Sequence, residues 1–335
     1  DVATYYHATA QKSKRADDYQ VAARWYRDYL ASFPDDPESA ANNYLLADTL
    51  FESGSFADAA TEYERTAYDY PRGKRSAEAA YAALGALQKL RAATPAAQQP
   101  EIVGRQIESG VRFAKEFPEH PDSGGVITRA AQDVFDRKDL PRAIEVADLV
   151  LAHQPPVDAA RQRIAWTIIG QANFEQGDFE RAESAYQKAR ELAPANDPLR
   201  KDLSERLAAS VYKQAEARRS EGDGAGAVDA FLRVAALSPD PTVRATAEFD
   251  AAAQLLTLKQ WDRAIPVLEG YRRNYPKDPR QADVTRNLAV AYGEVGRPAQ
   301  AAPEFERIAA NPAEDREVRR EAQIGRASCR ERVFS

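Results

Sequence analysis

The chain has 335 residues, 29% of them charged, and a formal net charge of -6. Its mean hydropathy is -0.61, and no apolar run is long enough to form a membrane-spanning helix. Nor does an acidic chain carry the basic footprint that nucleic-acid binding requires.

Ala, Arg, Glu and Leu are abundant, while Ile is sparse. This is the profile of amphipathic helices rather than buried strands. Met is absent even from position 1, as expected of an internal piece of a longer protein. Cys329 is the single cysteine, which rules out an internal disulfide.

The predicted elements are pairs of helices at residues 3–36, 40–73, 76–120, 124–157, 163–196, 208–241, 245–278 and 282–315. A common frame ties them together. The residue expected where the second helix of each pair meets the first is Ala22, Ala59, Gln106, Ala143, Ala182, Ala227, Ala264 or Ala301. Twelve residues further on come Pro34, Pro71, Pro118, Pro155, Pro194, Pro239 and Pro276. Only the last unit departs, with Ala313 there and Pro312 beside it. Ala lets two helices approach closely, and Pro stops a helix because it lacks the amide donor.

In chain order, the second unit has Gly54 at its predicted inter-helix turn and Asp36 or Glu38 at the start of its first helix. The third is degenerate, with Gln106 and Gly110 where Ala and an aromatic are expected. Its stretch Thr94-Pro95-Ala96-Ala97-Gln98-Gln99-Pro100 reads as a loop between lengthened helices. The fifth shows the unit most clearly: Trp166, Ile169, Gly170 and Asn173, then Gly177-Asp178-Phe179, Ala182, Tyr186, Ala189 and Pro194. Before the sixth, Asn196-Asp197-Pro198 reads as a cap followed by Pro in the first turn, opening a helix that runs to about Arg219. Gly222 and Gly296 mark later turns, and Asp278 precedes the last predicted pair.

The pattern of the fifth unit resembles the tetratricopeptide signature at nearly every diagnostic position. That resemblance implies an all-α fold, an α-solenoid wound as a right-handed superhelix of about eight helix-turn-helix repeats over residues 1–323. The units are longer than the compact repeat of about 34 residues. The extra residues follow the proline, as in Phe33-Pro34-Asp35-Asp36-Pro37 and Tyr275-Pro276-Lys277-Asp278-Pro279.

Tyr26, Tyr29, Phe33-Pro34, Tyr44, Gly54, Phe56, Tyr63 and Tyr70-Pro71 are similar to repeats of Gram-negative envelope proteins. The types in question are the Tol-Pal cell-division coordinator and the outer-membrane assembly lipoprotein. The similarity covers residues 19–90 best and recurs at 245–280. It implies a periplasmic or outer-membrane-associated protein, peripheral to the envelope, with a cytoplasmic protein as the alternative. The string Ile324-Gly325-Arg326-Ala327-Ser328-Cys329-Arg330-Glu331-Arg332-Val333 resembles the in-frame translation of a sequencing adapter. Residues 324–335 are therefore expected to be a non-native tail.

Reactive constellations are missing from the sequence. His7, His120 and His153 have no metal-ligand partner at helical spacing and read as solvated turn histidines. Acidic pairs such as Asp17/Asp18 and Asp35/Asp36 read as helix caps. Gly222-Asp223-Gly224-Ala225-Gly226 lacks the strand and the Lys-Ser/Thr of a phosphate loop. No enzyme activity, metal or cofactor is expected.

In such arrays the first helix of each pair lines a concave face. Its inward positions, three or four residues apart, are Tyr44, Asp48, Phe51, Tyr81, Phe135, Thr167, Gln171, Phe174, Tyr212, Glu216, Phe249 and Leu256. The set is aromatic with scattered polar groups, and it lacks the row of Lys or Arg that would clamp a C-terminal carboxylate. The expected function is a scaffold that holds an extended or helical partner polypeptide. Alternatives are the substrate-positioning part of a larger envelope enzyme or glycan-export component, and a structural spacer.

Overall fold

The computed structural model describes residues 2–334, with side chains through Cys329. Among these residues every regular element is helical. Eight helical pairs follow one another: α1 (Val2–Ser13) with α2 (Ala16–Ser32), α3 (Ser39–Glu52) with α4 (Phe56–Tyr68), α5 (Ser76–Ala93) with α6 (Gln99–Glu116), α7 (Ser123–Asp136) with α8 (Leu140–Ala152), α9 (Ala159–Gln176) with α10 (Phe179–Glu191), α11 (Pro198–Ser220) with α12 (Gly224–Leu237), α13 (Pro241–Thr257) with α14 (Trp261–Asn274), and α15 (Gln281–Glu294) with α16 (Pro298–Ala310). A final helix, α17 (Arg316–Phe334), packs on α16.

The chain divides into two compact units, Asp1–Ala172 and Asn173–Ser335. In the first, α1 to α8 pack each against the next in chain order, and α10 to α17 do the same in the second. This sequential stacking of hairpins is the packing of an α-solenoid.

The alanine frame explains the hairpins. Ala22, Ala59, Ala143, Ala182, Ala227, Ala264 and Ala301 are all 0% exposed. Each sits in the second helix of its pair, where a single methyl group keeps the crossing short. The space around it is filled by larger side chains, among them Tyr26, Tyr63, Tyr186, Phe231 and Leu268, all buried. Each repeat-ending proline lies just past the end of that helix, where the missing amide costs nothing.

The turns inside the hairpins use a left-handed residue. Gly54, Gly177, Gly222 and Gly296 have φ of +83°, +84°, +86° and +70°. Two repeats put lysine at the same frame position, Lys138 with φ 63° and Lys259 with φ 56°. A side chain there costs about 1 kcal/mol or more in backbone strain.

Helix starts are capped as the acidic residues suggest, but not everywhere by the ones expected. Asp197 accepts a hydrogen bond from the Leu199 amide at the start of α11, whose 23 residues run to Ser220. Asp139, Asp178, Asp223 and Asp240 cap α8, α10, α12 and α13 in the same way. Asp36 and Asp278 instead close tight turns before α3 and α15, accepting from the amides of Glu38 and Arg280.

The third hairpin differs. Helices α5 and α6 each have 18 residues, against 14 in α3 and 13 in α4. The expected loop shrinks to a short 3-10 turn, Ala96–Gln98, and Pro100 joins the first turn of α6. Gln106 stands at the crossing, and its Oε1 is buried without a hydrogen-bond partner.

Candidate functional site

In the first unit, the expected inward residues of α3 are each held by contacts inside the protein. Tyr44 is only 8% exposed and packs edge-on against Tyr63, with ring centroids 5.5 Å apart. Its hydroxyl donates to Glu78 at 3.2 Å, and the Arg75 guanidinium lies 4.9 Å over its ring. Both partners belong to the α5 end of the next repeat. Burial, followed by the nearby carboxylates Asp48 and Glu78, pushes the Tyr44 hydroxyl far above the usual phenol range. Asp48 accepts the Tyr63 hydroxyl at 2.5 Å. Burial raises its carboxyl above the ordinary value, opposed by that hydrogen bond. Phe51 packs edge-on against Phe56 at 5.3 Å. Tyr44 thus reaches the next repeat, while Asp48 and Phe51 close on their own hairpin and line a cavity of about 470 Å³ with His7, Tyr19 and Tyr63.

Farther along this unit, Tyr81 is 41% exposed and lies beside His120 and Phe113, at 5.1 and 5.7 Å between rings. Phe135 is half-buried beneath the Lys138 ammonium at 5.0 Å. Thr167 is half-buried and returns its hydroxyl to the Arg163 carbonyl. Gln171 is half-buried on the same helix. Tyr81 opens onto a cavity of about 550 Å³ between α5 and α7, floored by Gln106 and Gly110 of α6. Arg91, Gln88, Asp122, Arg129 and Asp133 complete its polar lining. Sequence reasoning marked the degenerate repeat but not Arg91 or Gln88; the lengthened α5 that carries them was the signal.

In the second unit the expected residues divide similarly. Phe249 packs on Tyr271 at 5.8 Å, with the Arg280 guanidinium 5.3 Å over its ring. This repeats the Tyr44–Arg75 arrangement, with an arginine at the start of the next first helix covering the aromatic. Leu256 packs against the core, and Glu216 pairs with Lys213 at 2.7 Å.

Phe174 and Tyr212 come together. Both line a cavity of about 360 Å³ with Ala209, Thr242 and Val243, rimmed by Glu205, Lys213 and Asp240. Phe174 is braced edge-on by Phe179 at 5.3 Å, and Tyr212 by Phe231 at the same separation. The Tyr212 hydroxyl donates to Asp250 at 2.7 Å. Burial and then that carboxylate push its pKa up to about 12. Val243 is 37% exposed, an apolar contact point that no sequence signal marked. A concave, mostly apolar pocket with a few fixed polar groups is the usual form of a binding site.

The histidines are packed rather than solvated. His7 is buried in α1, with Nδ1 3.2 Å from the Tyr26 hydroxyl, and burial lowers its pKa. His153 bonds Ser123 through Nε2 at 2.8 Å and lies against the Pro155 carbonyl. His120 and His153 are half-buried in otherwise exposed turns, and His120 lies against the Tyr81 and Phe113 rings. Among the described residues no His, Cys, Asp or Glu group of three or more is placed to hold a metal. No helix among them is long and apolar enough to cross a membrane.

Tetratricopeptide-repeat family models match residues 14–75, 164–196 and 249–316. No curated protein matches the chain in sequence. Among solved structures, the chain is similar to YrrB, titled a TPR protein with an unusual peptide-binding site, at 18% identity over 63% of this chain and 97% of that one, TM-score 0.32. It is also similar to the C-terminal part of a TPR repeat-containing protein from Cytophaga hutchinsonii, at 13% identity over 96% and 98%, TM-score 0.34. A third is the TPR2AB domain of yeast Sti1 in complex with pHSP90, at 17% identity over 77% and 100%, TM-score 0.32. Residues 14–75, 164–196 and 249–316 carry tetratricopeptide repeats.

Proposed function

We propose that this tetratricopeptide-repeat chain is a scaffold that holds a partner polypeptide, in the assembly or maintenance of a bacterial cell envelope. The observation that carries the binding role is the cavity in which Phe174 and Tyr212 meet Val243. Rigid aromatic walls offer contact area at low entropic cost, and the adjoining Glu205, Lys213 and Asp240 supply polar groups for orientation. The envelope role rests on the likeness of residues 19–90 and 245–280 to Gram-negative envelope repeats.

A photo-crosslinking amino acid at position 209 in the native host, followed by mass spectrometry, identifies the partner. Val243→Glu then adds a charge at the cavity without removing a core side chain, in a first helical turn where acid is favoured. A loss of partner affinity of about ten-fold or more is expected, with the helical circular dichroism unchanged. Equal binding by the Val243→Glu and Phe174→Ala chains would sink the cavity as the site. Fractionation that recovers the native protein wholly from the cytosol would sink the envelope role.

The adapter-like string supports reading residues 324–335 as foreign to the gene. Helix α17 spans the junction, and Gly325 lies against the Phe305 ring. Genomic sequencing past the codon for Gln323 decides the matter, and continuation of the same string would overturn it.

A further inference from the structure

The cavity of the third repeat holds a charge that the protein leaves unused. Helix α5 outruns α3, and Arg91 lies on the added length. Its side chain lines the cavity, yet no carboxylate of the described residues pairs with it. Of the other charges there, Asp133 holds Arg129 through both oxygens at 3.1 Å, whereas Asp122, whose backbone amide donates to His120 Nδ1, keeps its carboxylate free beside His120 and Tyr81. On the floor, Gln106 turns its Oε1 into the protein without a donor. The amide nitrogen is therefore the end left for a ligand. Gln88, three residues before Arg91, adds another amide at the exposed wall.

At the Arg91 end of the cavity, away from Asp122, the available groups are thus donors, led by a guanidinium. They call for an acceptor, and a carboxylate matches the planar fork of arginine best. From Tyr81 to Arg91 the α5 wall is about 15 Å long at 1.5 Å per residue. That length accommodates about four residues of extended chain.

We propose that this cavity binds an extended polypeptide segment carrying a Glu or Asp side chain, whose carboxylate pairs with Arg91 while Gln106 donates from the floor. Tyr81 packs against a neighbouring residue of the segment. The proposal rests on the scaffold reading and deepens it by naming the chemistry of one partner segment. It concerns a cavity separate from that of Phe174 and Tyr212.

The test is selection from a random peptide library displayed between two constant flanks, so that no peptide offers a free C-terminus. The baits are the full chain and its Arg91→Gln, Arg91→Glu and Val243→Glu forms, each checked for unchanged circular dichroism. The full chain and Val243→Glu should both enrich peptides with one fixed Glu or Asp. Arg91→Gln should bind the winning peptide at least ten-fold more weakly, and Arg91→Glu should prefer Lys or Arg at that position. The winning peptide with Gln for Glu should lose affinity for the full chain but not for Arg91→Gln. Enrichment without an acidic position, binding indifferent to Arg91, or no enrichment at all would overturn the proposal. Winners lost with Val243→Glu but kept with Arg91→Gln would overturn it while supporting the scaffold reading.

Discussion

The second and third repeats are neighbours in one unit, and they differ at the crossing and in the length of their helices. In the second, Ala59 is 0% exposed and α3 and α4 close around Tyr44, Leu50 and Tyr63. In the third, Gln106 takes the same place, α5 and α6 are longer, and a cavity of about 550 Å³ opens beside α7. A methyl group gives a filled joint. In the third repeat, the longer polar side chain at the crossing accompanies an open joint and an unsatisfied amide oxygen.

The most direct way to break this comparison is to put glutamine at the tight crossing. Ala59→Gln should cost about 3 kcal/mol, from overpacking and the burial of an amide without partners. Urea denaturation measures it, and a loss under about 1 kcal/mol would show that the crossing tolerates volume after all.

A second test concerns the polar pair that the second repeat satisfies internally. Tyr63→Phe removes the donor from half-buried Asp48 and should cost about 1–2 kcal/mol near neutral pH. The sign of the pH dependence follows from the raised pKa of Asp48. The folded state holds that proton more tightly than the unfolded chain, so this residue's contribution falls as pH rises from about 4 through its folded value. Tyr63→Phe should extend the fall to higher pH, and Asp48→Asn should remove it. Equilibrium unfolding from pH 4 to 7 checks both.

The turns sharpen the same contrast with a smaller effect. Gly54 serves the second repeat, whereas Lys138 occupies the equivalent left-handed position in the fourth. Lys138→Gly should stabilise by about 1 kcal/mol through relief of backbone strain, read as a rise in melting temperature. A drop would mean that the Lys138 ammonium over Phe135 is worth more than the strain. The smallest change is expected from Gln106→Ala. Loss of an unpartnered amide offsets lost packing, leaving stability within about 0.5 kcal/mol.

Most of the fold was legible in the residues themselves. Fixed Ala-to-Pro spacing marks where hairpins cross and end, since only small residues permit the crossing and Pro cannot continue a helix. The long α11 and the turn at Gly222 were readable for the same local reasons. The site was less legible. Helical periodicity says which side of a helix a residue occupies, but not whether the next repeat covers it. Tyr44 and Phe249 share the spacing of a groove residue, yet Arg75 and Arg280 from the following repeats close over them. Phe174 and Tyr212, at similar spacing, are left beside a cavity.

The histidines show the same limit. Their neighbours in sequence suggested solvated turns, while packing buries His7 against Tyr26 and seats His153 on Ser123. Local chemistry of the backbone thus determined the helices, their crossings and their stops. Tertiary structure alone decided which aromatics the following repeat covers, and that Arg91 would line a cavity without a carboxylate paired to it. Those outcomes depend on side chains from repeats more than thirty residues away in sequence, which a local pattern cannot register.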